Sequence, residues 1–293
     1  MLLIGRADQR AALDRALTDG AATDGVRALS VSQAVDIVPV LRPDYVAGAI
    51  LEPAAMDIDV HALHGGFLKL ARSRGATVRS GAGLAALERE GAGWRAETAA
   101  GPVAAGIVVN AAGAWADAVG ELAGLIPLGL TPKRRTAVVF EPAEPVDATA
   151  WPLICDVDER FYVKPEGGRL LASPADATPS PPCDAQPEEL DIALALDRVE
   201  KATSLKPRRV THRWAGLRSF FPDGVPAVGF DPRVDGFLWV AGQGGYGIQT
   251  SPAMGRVAAA LALGRALPDD IARRGLGAET LSPARLVGAG ATA

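Results

Sequence analysis

The sequence predicts a mixed α/β fold in which a parallel-sheet layer is interleaved with an antiparallel sheet. Apolar strands alternate with amphipathic helices in the first and last thirds of the chain, whereas the middle third reads as successive strands joined by turns. Apolar residues make up 48% of the 293 residues, enough for a sizeable core. These observations predict two interleaved domains.

The individual elements follow from periodicity and from capping and turn residues. Strands are predicted where apolar and β-branched residues run between turns, at 2–4, 47–51, 77–79, 84–89, 94–98, 107–109, 133–140, 160–164, 169–173, 210–214, 227–229 and 238–241. Helices are predicted where apolar residues recur every three or four positions, at 7–17, 30–35, 60–73, 188–203 and 251–263, with Ser30 as an N-cap and Gly75 as a left-handed residue after the third helix. From Pro268 onward the sequence predicts an exposed tail.

Charge and composition argue against several functions. The net charge is −4 and no basic run is present, which argues against nucleic-acid binding and gives no strong membrane signal. No apolar stretch approaches the roughly 20 residues of a membrane span. The two cysteines lie far apart, and the first residues do not resemble a secretory signal, so a cytoplasmic protein with reduced thiols is expected. His61, His64 and His212 lack metal-ligand spacing, and no metal is expected.

The most informative segment is the glycine-rich stretch from Gly242 to Gly255. An apolar strand leads into the turn Gly242-Gln243-Gly244-Gly245-Tyr246, and a helix follows. Glycines let backbone N–H groups approach a ligand closely, and a helix N-terminus adds partial positive charge. The segment therefore suits the electron-rich oxygens of a bound ring system. An ordinary tight β-α turn explains it equally well.

Two further segments carry candidate residues. Val108 to Trp115 places small residues after a strand that is expected to be buried, where they permit close approach either of a flat ligand or of a neighbouring helix. In the stretch from Trp214 to Gly229, Arg218 has an apolar and aromatic setting between two turns. A guanidinium there needs an anion, because burying an unpaired charge is costly. A substrate carboxylate and an internal acidic side chain are both open as partners.

Taken in order, these segments resemble the D-amino-acid oxidase superfamily, especially its bacterial glycine-oxidase and sarcosine-oxidase-like members. Residues 57–63 are similar to a further segment of that family, and the resemblance covers nearly all of residues 1–265. It implies an FAD/NAD(P)-binding Rossmann-like layer, N-terminally truncated, interleaved with an antiparallel substrate domain. The implied sections are substrate domain at 1–56, FAD domain at 57–125, substrate domain at 126–210, FAD domain at 211–267 and a tail at 268–293.

The resemblance also implies an activity and a set of contacts. The activity is FAD-dependent oxidation of the C–N bond of an amino acid or N-substituted glycine, by hydride transfer to the flavin. Arg218 would bind the substrate carboxylate, Tyr246 and Tyr162 would line the substrate pocket, and no side chain is assigned as a catalytic acid or base. The implied FAD contacts are Ala112, Gly113, Trp115, Gly242, Gly244, Gly245, Tyr246, Gly247, Ile248 and Gln249.

One part of the family pattern is missing from the sequence. No G-x-G-x-x-G follows a strand near Met1, and Gly81-Ala82-Gly83 neither has the third glycine nor opens a convincing helix. Weakened FAD binding is therefore expected. A late start, a split gene whose partner chain supplies the front, and a decayed remnant are competing explanations. The alternative functions are a non-catalytic subunit that needs a partner chain to bind FAD, and a pseudoenzyme that retains the Arg218 pocket.

Overall fold

The computed structural model describes residues 1–287. Within them the strands are β1 (Leu2–Gly5), β2 (Arg27–Leu29), β3 (Gly48–Leu51), β4 (Leu84–Glu90), β5 (Gly93–Thr98), β6 (Val103–Ala105), β7 (Val108–Asn110), β8 (Thr131–Pro142), β9 (Ile154–Asp156), β10 (Tyr162–Glu166), β11 (Arg169–Ser173), β12 (Thr178–Pro179), β13 (Pro207–Phe220), β14 (Ala227–Phe230) and β15 (Phe237–Ala241). The α-helices are α1 (Arg10–Asp19), α2 (Val31–Ile37), α3 (Val60–Ser73), α4 (Ala116–Leu122), α5 (Glu189–Ala202), α6 (Gly247–Ala262), α7 (Asp269–Ala272) and α8 (Ala278–Leu281).

The chain folds into two compact units, each built from separate stretches of sequence. The first unit comprises Met1–Asp57, Arg134–Thr178 and Asp184–Gly216. The second comprises Ile58–Lys133, Pro179–Cys183 and residues 217–287. The assignment of individual stretches to a substrate domain and an FAD domain stays a prediction.

The first unit is organised around a mixed sheet. Its strand order is β12-β8-β11-β10-β9-β1-β3-β2, and β13 also pairs with β8. Strand β1 runs parallel to β9 and antiparallel to β3. Helix α5 packs Ile192, Ala195 and Val199 into the same core as Phe140 and Leu170 of the sheet. The mixed α/β class predicted from the sequence is confirmed.

The second unit contains two smaller sheets, of order β14-β15-β7 and β4-β5-β6. Strand β15 runs antiparallel to β14 and parallel to β7. The rings of Trp94, Phe237 and Trp239 fill the core, with edge-to-face contacts at centroid distances of 5.9 Å and 5.3 Å. Such contacts add to the free energy gained by burying the rings. The core fixes β15 and β7 side by side, and the candidate site begins at their ends.

A buried carboxylate holds the loop that leads into β15. Asp231 accepts hydrogen bonds from Trp239 Nε1 at 2.9 Å and from Arg233 Nη2 at 2.7 Å. Burial by itself raises the pKa of a carboxyl group, but here the bonds from Arg233 and Trp239 outweigh it, and the pKa of Asp231 lies below its ordinary value of 3.8. The ionised carboxylate therefore stabilises the folded state.

The contribution of Asp231 to stability depends on pH with a definite sign. Because the folded-state pKa is lowered, the contribution is fully present above the unfolded-state pKa of about 3.9 and is lost as the pH falls through the lower folded value. We expect Asp231→Asn to lower the free energy of unfolding at pH 7, with the gap to wild type shrinking below about pH 4. Urea unfolding of both proteins from pH 3 to pH 7 measures this difference in the free energy of unfolding. A gap that does not change over this range would contradict the assignment.

The two thiols have different surroundings. Cys155 and Cys183 are both free; Cys155 lies partly buried in β9, and Cys183 is exposed. Burial, reinforced by the charges of Glu159 and Asp156, raises the pKa of the Cys155 thiol to about 12. Cys155 is therefore protonated and a poor nucleophile at neutral pH.

Three predictions about strand formation and exposure are wrong. Residues 77–79 form no strand, and Val78 is exposed, because an extended segment becomes a strand only when a neighbour supplies a hydrogen-bonding ladder. The strand at 107–109 was expected to be buried, yet the Val109 side chain is 48% exposed at the edge of its sheet. The tail from Pro268 is not exposed over 269–287, where α7 and α8 bury Ile271 and Leu281. The rest of that tail, 288–293, lies outside the described residues.

Candidate functional site

Two of the predicted segments meet at one edge of the β14-β15-β7 sheet. Parallel pairing sets Trp239 of β15 opposite Asn110 of β7, so the carboxyl ends of both strands point the same way. Just past these ends come the small residues from Ala111 and the turn that starts at Gly242. In open α/β sheets ligands bind outside the carboxyl ends of the strands. This edge of the sheet is therefore a candidate binding site.

Buried Asn110 shapes the backbone after β7. Its Nδ2 donates to the Ala116 carbonyl at 2.8 Å, and its Oδ1 accepts the Ala112 N–H at 3.3 Å. The chain then passes through Gly113, where a built methyl group meets no atom within 4 Å, and Trp115, whose side chain is 47% exposed. The structure thus leaves open space at Gly113 and presents an aromatic ring near it.

The glycine-rich turn depends on the absence of side chains at two positions. Gly242 and Gly244 have φ values of +78° and +55°, a region that other residues enter at a cost. A methyl group at Gly242 would lie 2.4 Å from the Phe221 ring, and one at Gly244 would lie 2.6 Å from the Phe220 ring. The Gly244 N–H donates to the Ser219 carbonyl at 3.0 Å. The turn is therefore packed against the end of β13.

Helix α6 begins at Gly247, four residues earlier than the sequence predicts. The prediction placed Pro252 in the first turn, where proline is favoured, but Pro252 lies inside the helix. Proline cannot donate to the carbonyl four residues before it. Here the Ser251 hydroxyl donates to that carbonyl, on Ile248, at 2.8 Å. The earlier start places the opening amides of the helix directly after the glycine-rich turn, where helix N–H groups lack intrahelical partners.

Arg218 lies within β13 and not between two turns as the sequence predicted. The strand runs six residues further than expected, to Phe220, because pairing with β8 supports it. Its guanidinium lies against the turn: a methyl group at Gly245 would sit 3.1 Å from Arg218 Nη1. Arg218 is partly buried, and within residues 1–287 it has no ion pair or hydrogen bond. The described part of the chain therefore contains no internal acidic partner for this arginine, which was the alternative to a substrate carboxylate.

The structure brings most of the predicted contacts together in the second unit. Ala112, Gly113 and Trp115 follow β7, and the turn residues with Gly247, Ile248 and Gln249 follow β15. Tyr246 precedes α6 with a side chain that is 60% exposed, so it is accessible to a ligand. Tyr162 belongs to β10 in the first unit, opposite Ser173 and Cys155. The role of each of these residues in binding remains a prediction.

Sequence reasoning missed two polar groups of the second unit. The Nε2 atom of Gln243 is buried in the turn without a hydrogen-bond partner, and the Lys133 ammonium lies over the Phe220 ring at 5.1 Å. The alternation of side chains along a strand, which puts Arg218 and Phe220 on one face, was a signal for the aromatic ring beneath Lys133 but not for Lys133 itself. Using it required knowing that the strand continues to Phe220.

Residues 1–287 contain neither a candidate metal site nor a helix that could span a membrane. No cluster of three or more histidine, cysteine, aspartate or glutamate side chains could hold a metal ion. No helix there combines the length and the hydrophobicity needed to cross a bilayer.

Residues 1–261 match the family described as FAD dependent oxidoreductase (DAO). The chain belongs to this family. The resemblance inferred from its motifs is confirmed, and FAD is the cofactor of the family.

Relatives of this DAO-family chain cover most of its length. It is 28% identical to the uncharacterized oxidoreductase YurR of Bacillus subtilis over 81% of the chain and 63% of YurR. It is 25% identical to glycine oxidase of Geobacillus kaustophilus over 80% of the chain and 61% of that protein. The chain thus spans under two thirds of these relatives' length.

Solved structures confirm the fold. The crystal structure of the Geobacillus kaustophilus glycine oxidase superposes with a TM-score of 0.78 at 24% identity, covering 93% of this chain and 72% of that one. The crystal structure of L-proline dehydrogenase from P. horikoshii superposes with a TM-score of 0.80 at 22% identity, covering 98% and 76%.

The residues at the sheet edge fit the ring system of FAD. An orphaned donor at Gln243 Nε2, opening amides of α6 and open space at Gly113 suit a flat group rich in carbonyl oxygens and ring nitrogens. The G-x-G-x-x-G turn expected for a pyrophosphate is not found in the sequence. The fit therefore concerns the flavin ring, which the turn from Gly242 and the residues after Asn110 would hold.

Proposed function

We propose that the protein is an FAD-dependent oxidoreductase that oxidises the C–N bond of an amino acid or an N-substituted glycine. The observation that carries the proposal is Arg218, a partly buried guanidinium without an acidic partner in residues 1–287, lying against Gly245 of the glycine-rich turn. A planar fork of donors at this place suits a carboxylate. Catabolism of amino acids in the cytoplasm is part of the proposal.

Each group of residues has a task in this proposal. FAD, when bound, accepts the hydride from the carbon next to nitrogen. Arg218 binds the substrate carboxylate and so fixes which carbon is presented. The opening amides of α6 and Gln243 Nε2 stabilise negative charge on the ring oxygens. Trp115 and Tyr246 line the pocket and exclude water.

The test is a spectroscopic one. The purified chain is mixed with FAD, freed of excess, and titrated without oxygen with glycine, sarcosine, and D- and L-amino acids. We expect amino acids to bleach the visible flavin absorbance and the corresponding keto or oxo acid to appear. Retained flavin that no amine bleaches, together with carboxylate binding, would make the protein a pseudoenzyme. A chain that neither binds FAD nor binds carboxylates would contradict the proposal.

A second candidate is a subunit that needs a partner chain to bind FAD. One surface of the second unit favours it: β7 lies at the edge of its sheet, with Val109 exposed, and α3 contains no buried residue. The Phe67 side chain on α3 is 47% exposed. The glycine oxidase structure has over a quarter of its length outside the match. An added strand and helix carrying a G-x-G-x-x-G turn would cover the edge and supply the pyrophosphate site.

Retention of FAD separates the two candidates. The chain is purified alone and after co-expression with a β-α-β segment of a relative that carries G-x-G-x-x-G. Stoichiometric flavin in both samples supports the complete enzyme. Flavin found only in the co-purified complex supports the subunit hypothesis. Flavin in neither sample contradicts the subunit hypothesis.

A further inference from the structure

We propose that Lys133 forms a second anion-binding position next to Arg218, so that the preferred substrate carries an additional acidic group, in its side chain or on its nitrogen. The inference rests on the proposed function and specifies its substrate class. It concerns residues of the second unit alone, since Lys133, Arg218 and Phe220 all belong to that unit.

Strand pairing places the two cations on one surface. Lys133 is on β8, the hydrogen-bonded neighbour of β13. Its ammonium lies 5.1 Å from the centroid of the Phe220 ring, and Phe220 is two residues after Arg218, hence on the same face of β13. That face covers the turn, because the Phe220 ring lies against Gly244 and the Arg218 guanidinium lies against Gly245. Lys133 and Arg218 therefore flank the same stretch of turn.

Neither cation has an anion. Lys133 and Arg218 are partly buried, and within residues 1–287 the structure gives neither of them a carboxylate or another hydrogen-bond acceptor. Two other partly buried cations of this unit are paired, at 2.7 Å for Arg233 with Asp231 and 2.7 Å for Arg285 with Asp223. Partial burial of two unpaired cations is unfavourable. A ligand with two anionic groups offsets both costs, whereas a simple amino acid leaves Lys133 unpaired.

The segment that carries Lys133 is held in place. The Asp117 carboxylate accepts the backbone N–H groups of Leu128, Gly129 and Leu130, at 3.1, 3.1 and 2.8 Å. β8 begins at the following residue, and Pro132 is buried. The backbone before Lys133 is thus anchored to α4, and the aromatic face of Phe220 orients the ammonium by a cation–π contact. The lysine is positioned in advance of ligand binding.

The test compares ligands that differ by one charge. Succinate and succinamate have nearly the same shape, but only succinate has two carboxylates; malonate and glutarate, with their monoamides, cover other spacings. Each is titrated calorimetrically into the purified chain with FAD in excess. We expect wild type to prefer one dicarboxylate over its monoamide by about tenfold, the effect of one charged hydrogen bond. Lys133→Met should remove this preference, leave monoamide affinity unchanged, and preserve cooperative unfolding.

Controls separate this inference from the proposed function. Lys133→Arg should keep the preference, and Lys69→Met, which makes the same change at an exposed position on α3, should not alter it. A preference that survives Lys133→Met, or a wild type without any preference, overturns the role of Lys133 and leaves the proposed function intact. Arg218→Ala should weaken the binding of each dicarboxylate and of its monoamide. Unchanged monoamide affinity in Arg218→Ala would instead overturn the proposed carboxylate site.

Discussion

Replacing Arg218 with alanine is expected to weaken the binding of small carboxylates, and kcat/KM for any amino-acid substrate, by about 10²- to 10³-fold. The reason is that Arg218 is the partly buried cation at the glycine-rich turn with a planar fork for a carboxylate. Arg218→Lys should retain part of the effect, since it keeps the charge but loses the bidentate geometry. Calorimetric titration with propionate and steady-state kinetics measure both.

The same variant distinguishes a carboxylate-binding role of Arg218 from a structural role. Because the described chain gives Arg218 no ion pair, its removal should change the free energy of unfolding by less than about 0.5 kcal/mol. Arg209→Ala, at an exposed position of the same strand, is the matched control and should leave carboxylate affinity unchanged. A loss of stability of several kcal/mol in Arg218→Ala, with binding retained, would show a structural arginine.

Replacing Gly244 with alanine is expected to lower the free energy of unfolding by about 2–5 kcal/mol and to weaken flavin binding. The backbone there has φ +55°, which costs an alanine about 1–2 kcal/mol. The methyl group would also lie 2.6 Å from the Phe220 ring, and overpacking of this kind costs about 1–3 kcal/mol. Urea unfolding and flavin titration give the two quantities.

Helix α6 offers a matched control for that substitution. Gly255 is inside the helix, and a methyl group built there meets nothing within 4 Å. Gly255→Ala should therefore raise the free energy of unfolding by up to about 1 kcal/mol, because alanine is the better helix former. If Gly244→Ala were as stable as Gly255→Ala, the close packing of the turn against β13 would be wrong.

Local sequence signals predicted the parts of the fold that depend on neighbouring residues. Helix α3 runs from Val60 to Ser73 as predicted, and Gly75 after it has the expected left-handed backbone, with φ +89°. The turn from Gly242 was recognised because glycines between an apolar strand and a helix leave few other conformations. Ser30 caps α2 as predicted, with its hydroxyl accepting the Gln33 N–H.

The remaining features depend on contacts between distant residues. The length of β13, and with it the position of Arg218, follows from pairing with β8. The start of α6 depended on Ser251 replacing the bond that Pro252 cannot make. Lys133 gave no signal at all, since its relation to Phe220 exists only after two strands 87 positions apart have paired. Sequence patterns located the turn and singled out Arg218, but they gave neither the position of Arg218 within β13 nor the presence of Lys133 beside it.

The difference between the two thiols provides a selective chemical handle. A maleimide reacts with thiolates, and at neutral pH the protonated, partly buried Cys155 presents very little of that form. Cys183 is exposed and belongs to the short Pro179–Cys183 stretch of the second unit. A fluorophore added in the native state is therefore attached at Cys183, without mutagenesis. Its emission would report ligand-induced changes in the unit that contains Arg218, at a residue that takes no part in the proposed chemistry.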